Sequence, residues 1–296
     1  MLIYIKLLLT ALFWGGTFIV ARVITQNVDA SCAAFLRFAI AVVFLLVLTW
    51  WIEGSLPGLK PRQFVGVVLL GLTGVSAYNI FFLKGLQTIH ASRAALIVAT
   101  SPIFITIFST YFFKERLTLL KFAGILLSVT GAIVVISKGK LGEVFAESIS
   151  VGELYIFGCV LSWVVYSLVG KALMSELSPL VAVSYSAVFG VIFLFIPAYL
   201  QGLFSKLPTY SLTDWFGIAY LGVFGTVIGF VWYYEGLRKI GPTRAALFIN
   251  FVPVSAVVLA FFILNERITS SLLIGGVLVV SGVYLTNKVP SISKTE

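Results

Sequence analysis

One histidine, two cysteines and eleven carboxylates are all that 296 residues offer as metal ligands, thiols and acids. A single histidine excludes an HExxH zinc site, and its loop position, at His90, leaves no Ser/His set at mid-span. Cys32 and Cys159 form neither a CxxC nor a spaced framework, so a disulfide scaffold is excluded and both read as core residues. The carboxylates fall in loops or near the ends of apolar runs, from Asp29 and Glu53 to Glu266. No acid stands mid-run as a proton relay; Glu153 comes nearest. No metal and no cofactor is expected, and an enzyme is disfavoured. Charge is scarce as well: Asp, Glu, Lys and Arg make up 10% of the chain, where a water-soluble domain carries about 25%. No basic run is interleaved with aromatics, which removes nucleic acid as a partner despite the net charge of +9. No connecting segment is long enough to fold as an aqueous domain.

Apolar length is what the chain has. Hydrophobic residues make up 60% of it, and crossing the hydrocarbon core takes about 20 consecutive apolar residues. Windows of that length predict an all-α integral membrane protein with ten transmembrane helices: Ile3–Val23, Ala30–Trp51, Phe64–Leu83, Ser92–Phe113, Leu119–Ser137, Val151–Leu173, Pro179–Leu200, Asp214–Tyr234, Thr243–Leu264 and Ser271–Lys288. The first run lacks a small-residue cleavage site and reads as a retained span. The runs are continuous rather than alternating, which argues against a β-barrel.

The stretch GLQTIHASRAALIVATSPIFITIFSTYFFKERLTLLK recurs later as GLRKIGPTRAALFINFVPVSAVVLAFFILNERITSSL. Pro253 minus Pro102 is 151, and so are Glu266 minus Glu115, Gly275 minus Gly124 and Gly282 minus Gly131. The same offset pairs Gly66, Gly71 and Gly74 with Gly217, Gly222 and Gly225, while Trp163 minus Trp14 is 149. The expected organisation is a first repeat over 1–137, a linker over 138–150, a second repeat over 151–288 and a cytoplasmic tail over 289–296. Five spans per copy is an odd number, so the second copy enters the membrane inverted. The charges fit: Lys114, Arg116 and Lys121 flank one loop, whereas the matching loop keeps Arg267 alone. Lys84 and Arg93 are answered by Arg238, Lys239 and Arg244. Positive residues favour the cytoplasmic side, which fits a cytoplasmic N-terminus.

The pattern Gly85–Leu86, Ser92 to Leu96, Pro102, Glu115–Arg116, Gly124 and Gly131, repeated from Gly236 to Gly282, resembles the EamA repeat of the drug/metabolite transporter superfamily. Trp14–Gly15 and Leu36–Arg37–Phe38 fit it too. The resemblance implies ten helices, both termini cytoplasmic, a bacterial cytoplasmic (inner) membrane location, and export or exchange of small metabolites, often amino acids. It leaves the cargo open.

In an inverted-repeat transporter the cargo site lies near the midplane between the halves. Pro102 and Pro253 come first as candidates, since each crowds the carbonyl four residues back, at Val98 and Ile249. Either a cavity or neighbouring helices must satisfy those carbonyls. Thr100, Ser101 and Asn250 lie within a turn of the prolines. Tyr78, Asn79 and Phe82 come from the third span and Trp232 and Tyr233 from the eighth. Trp14, Thr17, Trp163, Tyr166 and Ser167 come from the first and sixth. Arg37 is the one charge well inside a span; it can bind a cargo carboxylate, snorkel outward or pair with carbonyls. Trp50, Trp51, Trp215 and Tyr234 read as interface anchors, His90 as a loop residue, and Glu115 and Glu266 as partners of the arginines beside them. The expected function is a secondary exporter of amino acids or related metabolites, with a small-molecule substrate and the lipid bilayer as partners, as monomer or homodimer. The alternative keeps the fold and changes the cargo to a lipophilic drug, nucleotide sugar or phosphorylated metabolite. A membrane enzyme or a receptor would need features the spans do not show.

Overall fold

The computed structural model describes residues 1–86, 88, 94, 97–115, 117–137, 142, 150–264 and 270–288, and no strand occurs among them. Among the described residues, eight helices are long and apolar enough to cross a membrane. They are Leu2–Ile24, Ala30–Glu53, Pro61–Phe82, Leu119–Ser137, Val151–Leu173, Pro179–Leu200, Leu212–Ile240 and Ser270–Lys288. The protein is therefore a multi-pass membrane protein. Its outside is apolar: Val43, Val47, Phe64, Phe216 and Val277 are exposed, as a lipid-facing surface requires.

The two other expected spans are divided. One becomes the helix Ser101–Phe113, preceded by a turn at Ala99 and Thr100. The other runs as Pro242–Leu247, a 3-10 turn at Phe248–Asn250, and Phe251–Leu264. Both irregularities sit just ahead of a matched proline, Pro102 and Pro253. Proline lacks an N–H and its ring excludes the carbonyl one turn back, so the regular ladder stops there. In the first case the freed Val98 carbonyl accepts from the Ser101 hydroxyl at 2.6 Å, and the Ile97 carbonyl accepts from Thr100 at 2.6 Å. The helix satisfies its own break.

Helix starts follow the side chains available. Ser150 and Ser211 each exchange bonds with the acid three residues on; the Ser150 N–H donates to Glu153 at 2.6 Å and the Ser211 N–H to Asp214 at 2.9 Å. Such reciprocal caps satisfy orphan donors. Glu153 is thus a capping residue at a helix start.

Helices Leu119–Ser137 and Ser270–Lys288 cross through glycines. A Cβ at Gly131 would fall 2.6 Å from the Gly275 carbonyl, and one at Gly124 would fall 2.7 Å from the Gly282 carbonyl. The first member of each pair rises as the second falls, so the helices are antiparallel. Backbones this close are the small-residue packing that membranes favour.

Candidate functional site

Two matched helices are interrupted by π-helical stretches, Gly71–Ala77 and Leu221–Ile228. A π-helix widens the ring of hydrogen bonds by one residue and often marks a functional position. A hydroxyl closes each stretch. Ser76 donates to the Gly71 carbonyl at 3.2 Å and lies 3.1 Å from the Gly190 carbonyl; Thr226 donates to the Leu221 carbonyl at 3.1 Å. Glycine then admits a neighbour. A Cβ at Gly71 would meet the Ser186 carbonyl at 2.8 Å, and one at Gly222 would meet the Arg37 carbonyl at 2.9 Å. Gly74 lies under the Tyr166 ring, and a Cβ at Gly225 would stand 2.8 Å from the Thr17 methyl.

Aromatic rings gather between the stretches. Trp14 and Trp163 meet edge to face at 5.5 Å; Trp163 meets Tyr78 at 5.4 Å, and Tyr78 stacks on Phe82 at 6.0 Å. Tyr233 lies 5.6 Å from Trp14, and Phe230 lies 5.6 Å from Trp163. These are favourable ring geometries. The Trp14 indole donates to the Gly225 carbonyl at 2.8 Å, and Thr17 donates to the Trp14 carbonyl at 2.6 Å.

Arg37 sits beside this group. Its Nε donates to the Thr226 hydroxyl at 2.8 Å. Tyr78 is near enough to interact with its charge. The residue stays partly accessible, and its terminal nitrogens make no hydrogen bond to any described residue. A guanidinium carries five N–H donors in a planar fork, so most of this one is uncommitted.

The expected site residues divide into two groups. Trp14, Thr17, Arg37, Tyr78, Phe82, Thr100 and Pro253 keep some accessibility. Tyr166, Ser167 and Asn250 are 0% exposed and Tyr233 is 1%; they stand behind that surface, as do Asn79, Ser101, Pro102 and Trp163 for the most part. Ser167 and Tyr233 share a hydrogen bond of 2.9 Å, and Asn79 donates to the Val75 carbonyl at 2.5 Å. Asn250 donates to Ser128 at 3.1 Å, while its Oδ1 finds no partner among the described residues.

Two expectations are corrected. Trp232 leaves the aromatic group: its ring lies 6.1 Å from Phe13 and 5.7 Å from the Lys6 ammonium, and it lines an outer groove of about 370 Å³. Helical side chains two apart point about 200° apart, so with Tyr234 buried deep, Trp232 turns to the other side of the helix. Tyr234 is no interface anchor. It is 0% exposed and donates to the Tyr166 carbonyl at 3.0 Å, because the helix continues to Ile240 and leaves it deep. Glu115 accepts from Thr243 at 2.5 Å; the expected pairing of Glu115 and Glu266 with the arginines beside them involves Arg116 and Glu266, which lie outside the described residues, as does His90. Trp50 and Trp51 are exposed, at 67% and 81%. The expectations missed Thr226, Phe230 and Phe38; the hydroxyl next to a π-helix glycine is the one signal that marks Thr226.

The model of the EamA-like transporter family matches residues 1–137 and 150–288. The chain is 29% identical over 292 residues to the uncharacterized transporter YyaM of Bacillus subtilis (strain 168), covering 99% of this chain and 95% of the relative. It is 28% identical over 287 residues to the probable terminal-alkyne amino-acid exporter of Streptantibioticus cattleyicolor, covering 95% of this chain and 92% of the relative. A solved crystal structure superposes with a TM-score of 0.78 over 97% of this chain and 98% of that one; at 20% identity this likeness speaks for the fold alone.

Proposed function

This chain belongs to the EamA-like transporter family, and from that premise we propose that it is a secondary exporter of amino acids or related small metabolites, working by alternating access between two inverted halves. The halves are 1–137 and 151–288, each of five membrane-crossing segments, joined by a linker over 138–150 and followed by a tail over 289–296. Both termini face the cytoplasm of a bacterial cell whose cytoplasmic membrane holds the protein. The cargo sits between the halves against Trp14, Thr17, Arg37, Tyr78 and Phe82, with Trp163 packed behind them. Thr100, Ser101, Pro102, Asn79, Tyr166, Ser167, Tyr233, Asn250 and Pro253 supply the surrounding shell.

One observation carries this reading: contacts recur under the repeat with partners exchanged. Gly131 on Gly275 and Gly124 on Gly282 are each other's images, as 124 + 151 is 275 and 131 + 151 is 282. Gly66 meets Leu173 and Gly217 meets Ile24, where 66 + 151 is 217 and 24 + 149 is 173. A two-fold axis in the membrane plane produces this pattern, and it is the frame in which one site can open to either side. Amino-acid cargo draws support from the aromatic wall, which suits an apolar side chain and an ammonium group, and from the exporter named among the relatives. Phosphorylated cargo fits less well, because Arg37 is the only cation among the site residues and such groups favour several.

The test is a vesicle assay. Purified protein in liposomes loaded with labelled amino acids should release a subset faster than protein-free vesicles. Release of none, with nucleotide sugars or lipophilic drugs released instead, would transfer the function to the other cargo class. Cysteine labelling at 115 and 266 from opposite sides of the membrane tests the frame; labelling of both from one side contradicts it.

A further inference from the structure

We infer that Thr226 is a positioning residue that aims Arg37 at the carboxylate of the cargo, and that the cargo therefore binds one way round, with its acid end toward the second π-helix. The inference rests on the transport reading above and deepens it.

The hydroxyl of Thr226 has one proton, and it goes to the Leu221 carbonyl at 3.1 Å. Its lone pairs are thereby turned toward Arg37, whose Nε–H it accepts at 2.8 Å. This chain of two bonds fixes the guanidinium at its Nε edge, between Gly225 and the Phe38 ring, and leaves its terminal nitrogens without a hydrogen-bond partner among the described residues. Those nitrogens form the edge that grips a carboxylate with two parallel bonds. A cation in the membrane interior with uncommitted donors is costly, and an anionic cargo group removes that cost. A cationic cargo without an acid adds to it.

The orientation follows from asymmetry. Under the repeat Arg37 falls on Ser186, since 37 + 149 is 186. The contacts agree: the Arg37 carbonyl covers Gly222, and the Ser186 carbonyl covers Gly71. Ser186 is neutral, is 1% exposed and bonds the Val183 carbonyl at 2.9 Å. The first π-helix faces the Tyr166 ring where the second faces the Arg37 charge. A cargo with one acid and one apolar end fits a single way.

The experiment compares each common amino acid with its amide, using the purified full chain and competition against uptake of the labelled amino acid it moves fastest. The parent should prefer acid to amide by tenfold or more, as about 1.4 kcal/mol corresponds to tenfold. Arg37→Met should erase the preference. Thr226→Val keeps the shape and loses the acceptor. It should raise KM for the acid about tenfold, the scale of one hydrogen bond to a charged group, with kcat and amide competition near parental. Thr226→Ser should restore the acid. Unchanged amide competition shows that Thr226→Val folds. Parental acid affinity in Thr226→Val, with Arg37→Met impaired, overturns the positioning role and leaves the transport reading standing. Retained acid preference in Arg37→Met, or a parent indifferent to acid and amide, overturns the carboxylate site. A parent that moves no amino acid overturns it together with the function.

Discussion

At Gly74 and Gly225, 225 minus 74 being 151, the two π-helices make the same gap and fill it differently. The first is occupied by the Tyr166 ring, whose hydroxyl lies 3.4 Å from that of Ser186 and whose carbonyl accepts from Tyr234 at 3.0 Å. The second holds the small Thr17 methyl and the end of Arg37. The tryptophans diverge in the same sense. Trp163 packs on Tyr78 at 5.4 Å, whereas the residue matched to Tyr78 is Gly229, as 78 + 151 is 229. Trp14 lies over that glycine and bonds the Gly225 carbonyl. Backbone contacts are thus common to both halves because glycine leaves no alternative at a close crossing. The side chains in the gaps are free to differ, and they make one half a rigid wall and the other a polar seat.

The sharpest way to break this comparison is to fill both gaps. Gly74→Ala drives a methyl into a ring held on two sides, and it should destabilise the protein by about 2–3 kcal/mol, the upper range for overpacking. Gly225→Ala meets a methyl and a flexible side chain and should cost about 1 kcal/mol. Melting of the purified variants in detergent reads the difference. Equal losses would mean the two gaps are equally rigid, and Gly74→Ala with Tyr166→Leu should recover part of the first loss.

A smaller effect separates the tryptophans. In Gly229→Ala the new methyl would stand against the Trp14 indole, since a Cβ there lies 3.3 Å from its Cδ1. The bond to the Gly225 carbonyl should break, at a net cost of about 1 kcal/mol, with a shift in Trp14 fluorescence measured in a variant carrying Trp163→Phe. An unchanged spectrum would show that the indole does not need that glycine.

Smaller still is the contrast between Lys6 with Glu235 and its image, Tyr155 with Lys84, where 6 + 149 is 155 and 84 + 151 is 235. One is an ion pair at 2.6 Å with both side chains 23% exposed; the other sets a lysine 5.7 Å from a ring. Glu235→Gln should cost about 1 kcal/mol, the upper end for pairs that water still reaches. Tyr155→Leu should cost about 0.5 kcal/mol. Reversed magnitudes in melting curves would undo the ranking.

Much of this frame can be read from the sequence, because the prolines and glycines that shape a membrane helix are the residues the repeat preserves. Pro102 and Pro253 announce both divided helices. The eight long helices appear as apolar runs, and Arg37 stands out as a charge in such a run. Thr226 does not stand out, since its role depends on a π-helical register that returns its hydroxyl to Leu221, and hydrophobic periodicity carries no sign of that shift. Tyr234 was placed at an interface by its distance from the end of a 20-residue window, and the helix continues beyond that window to Ile240. Trp232 and Tyr233 look equivalent as neighbouring aromatics, and only the rotation of the helix, which buries Tyr233 and Tyr234, turns Trp232 toward Lys6 and Phe13.

The smallest expected effect concerns the loops. Lys206 donates to Asp29 at 2.5 Å, with both side chains well exposed, while the matched position in the first half, 206 minus 149, is Pro57. The Pro57 carbonyl accepts from the Tyr185 hydroxyl at 2.8 Å, so a neutral bond stands where the second half has an ion pair. The hydrogen bond to Asp29 raises the Lys206 ammonium above the ordinary lysine range. A raised folded value means that the contribution is complete below the unfolded lysine pKa of about 10.4 and fades as pH climbs through the folded one. Lys206→Ala should therefore melt slightly below the parent at pH 8 in low salt. The gap should close at strongly alkaline pH, and also in about 1 M salt, where screening acts over a few ångströms. Tyr185→Phe removes a bond without charge, so its loss should be insensitive to salt. If salt moved both variants alike, the loops of the two halves would not differ in the way their residues indicate.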